Sequence, residues 1–503
     1  MTAHDLLTEP LLSWRDSKRR RGATTLPGAL AKLASGELAD FPAAQAHQLE
    51  PWSMFLTQLA AISLHRSGTS DPALAEDTWR SLLLELTAGE HEPWCLLVGD
   101  LSKPAFLQPP VPEQTLEGWK GWVDHPDDMD VLVTAKAHDV KPSRISGADA
   151  ESWVFAVVTL QTMQGYPGRG YYGISRMKGG YGSRPRVGNS PDLSLPARFR
   201  HDVDVLCTSW DDLLDRGFSE RGASLTWTLP WDGTRSLGFN QLAPHFVEVC
   251  QRIRLVESPT GIVCRYSTSG ARRCLALETT GDVGDPWIPI ERKDRGALTV
   301  GRRGFNYELL TRILFSGDFA PAAAQVIGSS GDEPLIFLAS VMARGQGKTD
   351  GLHNRTLQLP REMRRRLGRI DTRDALEQRA RSNVQQAKDM RSKVLFPALK
   401  KIALGEKTVA DEFDRRVDEV FFDELFGNVA LGDNEAALSW QKRLQILAWA
   451  ELQGAIDRCS LPSATWYRSV ADAEGIFRGL LKKQFPTLAA DLRNERNPEQ
   501  PET

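Results

Sequence analysis

The sequence predicts an α+β fold: a large irregular mixed α/β N-terminal body over residues 1–365, a C-terminal four-helix bundle over 366–490 and a polar tail over 491–503. Three observations predict it. With 503 residues, 41% hydrophobic and 25% charged, the chain is long enough for two or three cores. Before about residue 360, short apolar runs such as Trp153–Leu160 and Leu335–Val341 are bounded by turn-forming clusters. Beyond it Gly and Pro thin out and apolar residues recur at helical spacing.

The bundle reads as four helices. The first carries Leu376, Ala380, Val384, Ala387, Met390, Val394, Ala398 and Ile402 on one face, with Asp371 as the expected N-cap. Pro397 should kink it or end it early, because proline removes a donor and crowds the preceding turn. The second, opened by Thr408, carries Val409, Phe413, Val417, Val420 and Phe421. The third, behind Asp433-Asn434, carries Trp440, Leu444, Leu447, Ala448, Leu452 and Ala455. The fourth enters at Pro462-Ser463, carries Trp466, Val470, Ala473, Phe477, Leu480 and Leu481, and is expected to stop at Pro486. Short connections favour antiparallel neighbours.

Charge separates function classes. Lys+Arg at 62 against Asp+Glu at 65 gives a net charge of -3, which excludes a globally basic nucleic-acid coat. The charge is nevertheless uneven. Thirteen basic residues against six acidic ones fall between Arg344 and Arg391, and seven against one between Gly165 and Arg200. Cations gathered on loops suit local phosphate contact, where each neutralised phosphate releases a counterion; the bland alternative is a solvated face.

Two Gly-rich basic loops stand out. The first, Gln164–Arg186, reads QGYPGRGYYGISRMKGGYGSRPR; its glycines permit positive φ and its tyrosines can stack on bases. The second follows the strand-like run at Leu335 and reads Met342-Ala-Arg-Gly-Gln-Gly-Lys-Thr-Asp-Gly351. Gly345-Gln346-Gly347 sets one amide side chain between two residues without side chains, narrow enough to enter a groove. Neither loop is a phosphate-binding GxxxxGK[ST]: the second has Met342 where the first glycine belongs.

Catalysis has little support. The six cysteines form no CxxC pair, the nine histidines show no HxxxH or HExxH spacing, and no GxSxG occurs, so no catalytic residue, metal ligand or cofactor is expected. The alternative from another class is a metal-dependent phosphohydrolase or nuclease using the dipeptides His138-Asp139 or His201-Asp202. A third reading is an adaptor whose bundle binds only protein. No membrane span and no secretory leader is read, so a cytoplasmic location is expected.

Five features occur in a fixed order: Leu6-Leu7-Thr8-Glu9-Pro10, SRMKGGYGSRP, Asp285-Pro286-Trp287, ARGQGKTDG and the terminal bundle. Together they resemble the CasA family, the large subunit of the type I-E CRISPR surveillance complex Cascade, over nearly the whole chain. The resemblance implies a non-catalytic subunit that recognises the PAM in double-stranded target DNA, starts duplex opening and helps recruit a helicase-nuclease. It implies as partners a crRNA and the other Cascade subunits: the backbone, the small subunit and the crRNA 5′-end subunit. By motif, Gly345, Gln346 and Gly347 would form the duplex wedge, with Arg344 and Lys348 on the DNA backbone. Gly168, Gly170, Tyr171, Tyr172 and Gly173, with Lys178, would form the glycine loop. The family's basic finger is a lysine before the Asp285-Pro286-Trp287 element. Here Ser267–Arg273 holds no lysine, and Arg272 or Arg273 is expected to substitute. Lys136, Lys141 and Arg144 lie where the family contacts the crRNA end and neighbouring subunits.

Overall fold

The computed structural model describes residues 2–129, 149–276, 279–327, 335–345, 348–402, 406–459 and 462–496. The chain divides into two compact units, Met1–Phe305 with Gly317–Arg361, and Asn306–Ser316 with Glu362–Thr503. Helices and small sheets together make the mixed α/β architecture expected from the sequence, with a helical C-terminal region.

The first unit is organised round two helices with almost no exposed face. Leu49–Ser67 (α1) buries every residue from Pro51 to Leu64, and Ala150–Met163 (α2) every residue from Trp153 to Met163. Helices buried on all sides form the centre of the core, and the polar side chains they carry inward, among them Thr57, Gln58 and Gln161, are hydrogen-bonded there. Asp149 caps α2 by accepting the Ser152 N–H at 2.8 Å. The rings of Trp52, Phe55, Phe155 and Phe106 meet at centroid distances of 5.2 to 5.6 Å. The apolar run Trp153–Leu160 is thus helix, whereas Leu335–Val341 is strand.

The strands that place the site are Gly121–Val123 (β1), Arg186–Ser190 (β2), Arg252–Ser258 (β3), Gly261–Ser267 (β4), Leu335–Gly345 (β5) and Lys348–Leu359 (β6). They form two antiparallel sheets, in the orders β1-β4-β3 and β6-β5-β2. The β5–β6 hairpin is paired from Leu335↔Leu359 to Gly345↔Lys348, with a register shift between Ala343 and Arg344. β2 pairs with β5 only from Ile336↔Ser190 to Ser340↔Arg186, so beyond Ser340 the hairpin runs on as a two-stranded ribbon.

The second unit packs Tyr307–Leu314 (α3), Ile370–Asp389 (α4), Glu406–Gly427 (α5), Asp433–Asp457 (α6), Ser463–Gln484 (α7) and Pro486–Arg496 (α8). The expected faces carry its core: Leu376, Ala380, Ala387, Phe413, Val417, Trp440, Leu444, Ala473 and Phe477 are all buried. Trp440 donates its indole N–H to the Asn383 carbonyl at 3.0 Å. After Asp389 the first helix widens into a π turn over Met390–Leu395 and ends at Leu399. That absorbs Pro397, whose ring and missing donor forbid a regular bond one turn back.

One local expectation is corrected and others are extended. α4 starts at Ile370 behind Arg369, so Asp371 lies inside the helix instead of capping it. The fourth helix ends at Gln484, before Pro486 as expected, and Pro486 then opens a further helix, since a first-turn proline lacks only a donor that would be unpaired there anyway. That helix carries the chain through Arg496, into the stretch read as polar tail. The short helix α3, remote in sequence, belongs to this unit because Tyr307 stacks on Phe421 at 5.0 Å and Glu308 pairs with Lys388 at 2.8 Å.

Candidate nucleic-acid interface

The Gly-rich loop leaves α2 and returns to β2, and its return leg is fixed by buried charge. The Ser175 N–H and hydroxyl donate to the two oxygens of Glu248, at 2.5 and 2.9 Å. Arg176 reaches Glu248 at 2.8 Å and Asp285 at 2.9 Å, and Arg184 reaches the same Asp285 oxygen at 2.6 Å. Arg186 pairs with Asp202 at 2.8 Å and Glu50 at 3.3 Å, and Arg198 pairs with Glu50 as well. Arg176, Arg184 and Arg186 are 3% exposed or less. Much of the positive charge counted over 165–200 therefore never faces solvent, which corrects the reading of that run as a phosphate-facing cluster.

Burial pushes the Arg184 guanidinium down to about 10 despite Asp285. Burial works to raise the Asp202 carboxyl, but the charge of Arg186 and the His201 hydrogen bond outweigh it and hold it at about 2.

The loop's outward end is different. Tyr171 N–H donates to the Gly168 carbonyl at 3.0 Å, closing a tight turn in which Pro167 and Arg169 are exposed. Gly170 has φ +85, and a Cβ there would lie 2.9 Å from Thr268. Its carbonyl accepts the Ser269 N–H at 2.8 Å, which ties the tip to the segment after β4. At Gly173 a Cβ would lie 2.2 Å from the Gly165 carbonyl carbon, so the base of the loop closes only with glycine. Tyr166 lies 6.1 Å from Tyr172 and 6.3 Å from Tyr181, ring to ring. Lys178 is exposed and paired with Asp294 at 3.0 Å. The tip thus presents Arg169, a residue the motif reading passed over. Its signal was legible as an arginine set between two glycines behind a proline.

The expected basic finger is not on the surface. Arg272 and Arg273 are each 3% exposed. Arg273 donates to the carbonyls of Thr226 and Leu229 at 3.0 and 2.9 Å and lies over the Trp231 ring. Arg272 points its guanidinium at the Met177 carbonyl, 3.5 Å away. Both serve as internal ties between loops, which corrects their assignment as a finger.

In the hairpin, Gly345 pairs with Lys348, and Lys348 bridges to Asp350 at 3.1 Å. Arg344 is half-buried. Gln346 and Gly347 lie outside the described residues, as do Lys136, Lys141, Arg144 and the His138-Asp139 dipeptide. The second dipeptide is structural: Asp202 is buried, holds Arg186 and accepts the Trp287 indole N–H at 3.0 Å. Among the described residues no group of three His, Cys, Asp or Glu side chains could hold a metal ion, and no helix is long and apolar enough to cross a membrane.

No protein-family model and no curated protein matches the sequence. Solved structures do match, over nearly the full length of both chains. The chain has a CasA/Cse1-like fold. The Cse1 of Thermobifida fusca superposes with a TM-score of 0.64 at 13% identity, covering 96% of this chain and 98% of its own. The CRISPR-associated protein Cse1 of Acidimicrobium ferrooxidans gives 0.61 at 16% identity, covering 98% and 99%. The CasA (Cse1) of Thermus thermophilus gives 0.60 at 14% identity, covering 95% and 100%.

Proposed function

We propose that this chain is the large, non-catalytic subunit of a crRNA-guided Cascade complex. In this reading it recognises the PAM in double-stranded DNA, begins to open the duplex and helps recruit a helicase-nuclease. One observation carries the reading: in a CasA-like fold, the β5–β6 ribbon pairs Gly345 with Lys348, the residues that bracket Gln346 and Gly347 in the sequence. A two-residue connection is the narrowest a hairpin takes. An amide at such a tip, with cations beside it, suits insertion into a groove and separation of the first base pair. That step costs about 1.4 kcal/mol of stacking on average, within reach of a side chain and a few phosphate contacts. Lys136, Lys141 and Arg144 are proposed to meet the crRNA end and neighbouring subunits. Arg169, on its pinned turn, takes the place proposed from sequence for Arg272 or Arg273.

The test uses the complex assembled with crRNA and the partner subunits. Gln346→Ala slows opening of the base pairs next to the PAM, read by permanganate footprinting, while assembly is unchanged; equal loss of both removes the wedge role. Replacing Arg169, Arg344 or Lys348 by Glu lowers duplex affinity and flattens the plot of log affinity against log salt by about 0.9 for each phosphate no longer neutralised. An unchanged slope in all three variants overturns the interface.

A further inference from the structure

Beside the exposed turn of the Gly-rich loop, the first unit holds an open-sided cavity of about 220 Å³ that the duplex reading does not use. Leu160 of α2 and Ile253 of β3 make its apolar floor, and Tyr171 and Tyr266 stand on its wall with ring centroids 6.2 Å apart and planes at 60°. Tyr266 keeps its place because Gly121 faces it across the β1–β4 pair: a Cβ on Gly121 would lie 2.1 Å from the ring. The polar part of the lining is the Asp128 carboxylate and an amide pair, Gln164 and Gln251. Gln251, 6% exposed, donates its side-chain N–H to the Gln164 side-chain oxygen at 2.9 Å. Gln161 clamps the Gln251 main chain from both sides, accepting from its N–H at 2.8 Å and donating to its carbonyl at 3.0 Å. Among the described residues the Gln164 amide N–H donors and the Gln251 amide oxygen have no hydrogen-bond partner, and both residues line the cavity.

Each part of this arrangement selects the same ligand chemistry. A cavity of roughly 150 Å³ suffices for a benzene ring, so this one admits a planar heterocycle. Aromatic walls favour a π-face, and the Gln164 and Gln251 amides and the Asp128 carboxylate supply a donor and acceptors for the polar edge of a base. We propose that the cavity receives one unstacked nucleobase of a single-stranded nucleic acid. The site shares Tyr171 with the glycine loop assigned to the duplex, but its ligand differs: an unpaired base is inaccessible inside a duplex and must be splayed out to be read in this way.

The test titrates the full chain with a short single-stranded oligonucleotide carrying one 2-aminopurine among abasic positions, made as RNA and as DNA. A saturable fluorescence change is expected, with affinity about tenfold above that of an all-abasic strand of the same length, the scale of one base–aromatic stack. Tyr266→Ala removes most of that gain. Gln164→Leu, which keeps the cavity's shape, lowers it severalfold while the melting temperature shows the fold retained. Stronger binding of the RNA form assigns the base to the guide, and equal or stronger binding of the DNA form assigns it to the opened target; both support the site. Equal affinity for abasic and base-bearing strands overturns it, as does full binding by both variants. Because no duplex is present, loss of duplex recognition in the Arg169 or Lys348 variants leaves this result untouched.

Discussion

Asp285→Ala should destabilise the first unit by about 3–5 kcal/mol, the cost of removing one partner from a buried ion pair. One carboxylate oxygen of Asp285 lies 2.9 Å from Arg176 and 2.6 Å from Arg184, and the residue is 5% exposed. Its other oxygen accepts the Trp287 main-chain N–H at 2.9 Å. Truncation therefore strands two guanidiniums in the interior, with only Glu248 left to balance Arg176. Urea unfolding followed by tryptophan fluorescence reads the loss, since Trp287 sits beside the cage with Arg184 5.3 Å from its ring. Asp285→Asn separates charge from hydrogen bonding. It keeps an acceptor for Trp287, so a loss close to that of the alanine variant assigns the effect to charge. A loss below about 1 kcal/mol in both variants would remove the cage from the account of how the Gly-rich loop is held. Under the function proposed above, the corollary is that PAM discrimination weakens in Asp285→Asn even where the complex still assembles.

The second large effect is an acid sensitivity centred on His245. Burial pushes this imidazole down from 6.5 to about 4, aided by the positive charge of Arg176 and His65 and opposed by the Leu206 hydrogen bond and Asp285. Its Nε2–H donates to the Leu206 carbonyl at 2.8 Å, while Nδ1 is buried with no hydrogen-bond partner among the described residues. The neutral ring is the form this site accommodates. The folded state then binds fewer protons than the unfolded state between pH 4 and 6.5, so stability rises with pH across that window. Above 6.5 the contribution is flat; on acidification it falls by about 1.4 kcal/mol per pH unit, roughly 3 kcal/mol in all. His245→Asn should abolish this slope while tolerating the backbone, because His245 has φ 54, a conformation asparagine adopts readily. Stability measured at half-unit pH steps checks it, and an unchanged slope in the variant assigns the titration to another group.

The helical third was legible because its signal is local. Trp440, Phe413 and Phe477 recur at a spacing that only one face of a helix satisfies, and each is buried. The strand that leads into the second loop was legible for the same reason, through the apolar run from Leu335; the strand Lys348–Leu359 that pairs back on it was not read. Trp153–Leu160 and Leu335–Val341 could not be told apart by periodicity, because each is apolar but for a single hydroxyl residue, Thr159 or Ser340; length and the Asp149 cap decide for helix in the first. Pro486 was legible as the stop of one helix but not as the start of the next, because a proline suits both places.

Charge was the part that the linear chain misrepresented. Arg169 and Arg184 look alike within one Gly-rich run, yet the first is exposed on a glycine turn and the second is 1% exposed against Asp285. Arg272 and Arg273 look like a loop's basic tip and are internal ties. The succession of elements, the bundle faces and the placing of Gln346 between two glycines could be read along the chain alone, because each depends on neighbours within a turn or a hairpin. Which cations face outward, and which loop bases are locked, was settled only by folding. Those outcomes depend on carboxylates far along the chain: Arg176 finds Glu248 72 residues away and Arg198 finds Glu50 148 residues away. A guanidinium goes inside only where folding brings such a partner to offset its desolvation, and no local pattern encodes that meeting.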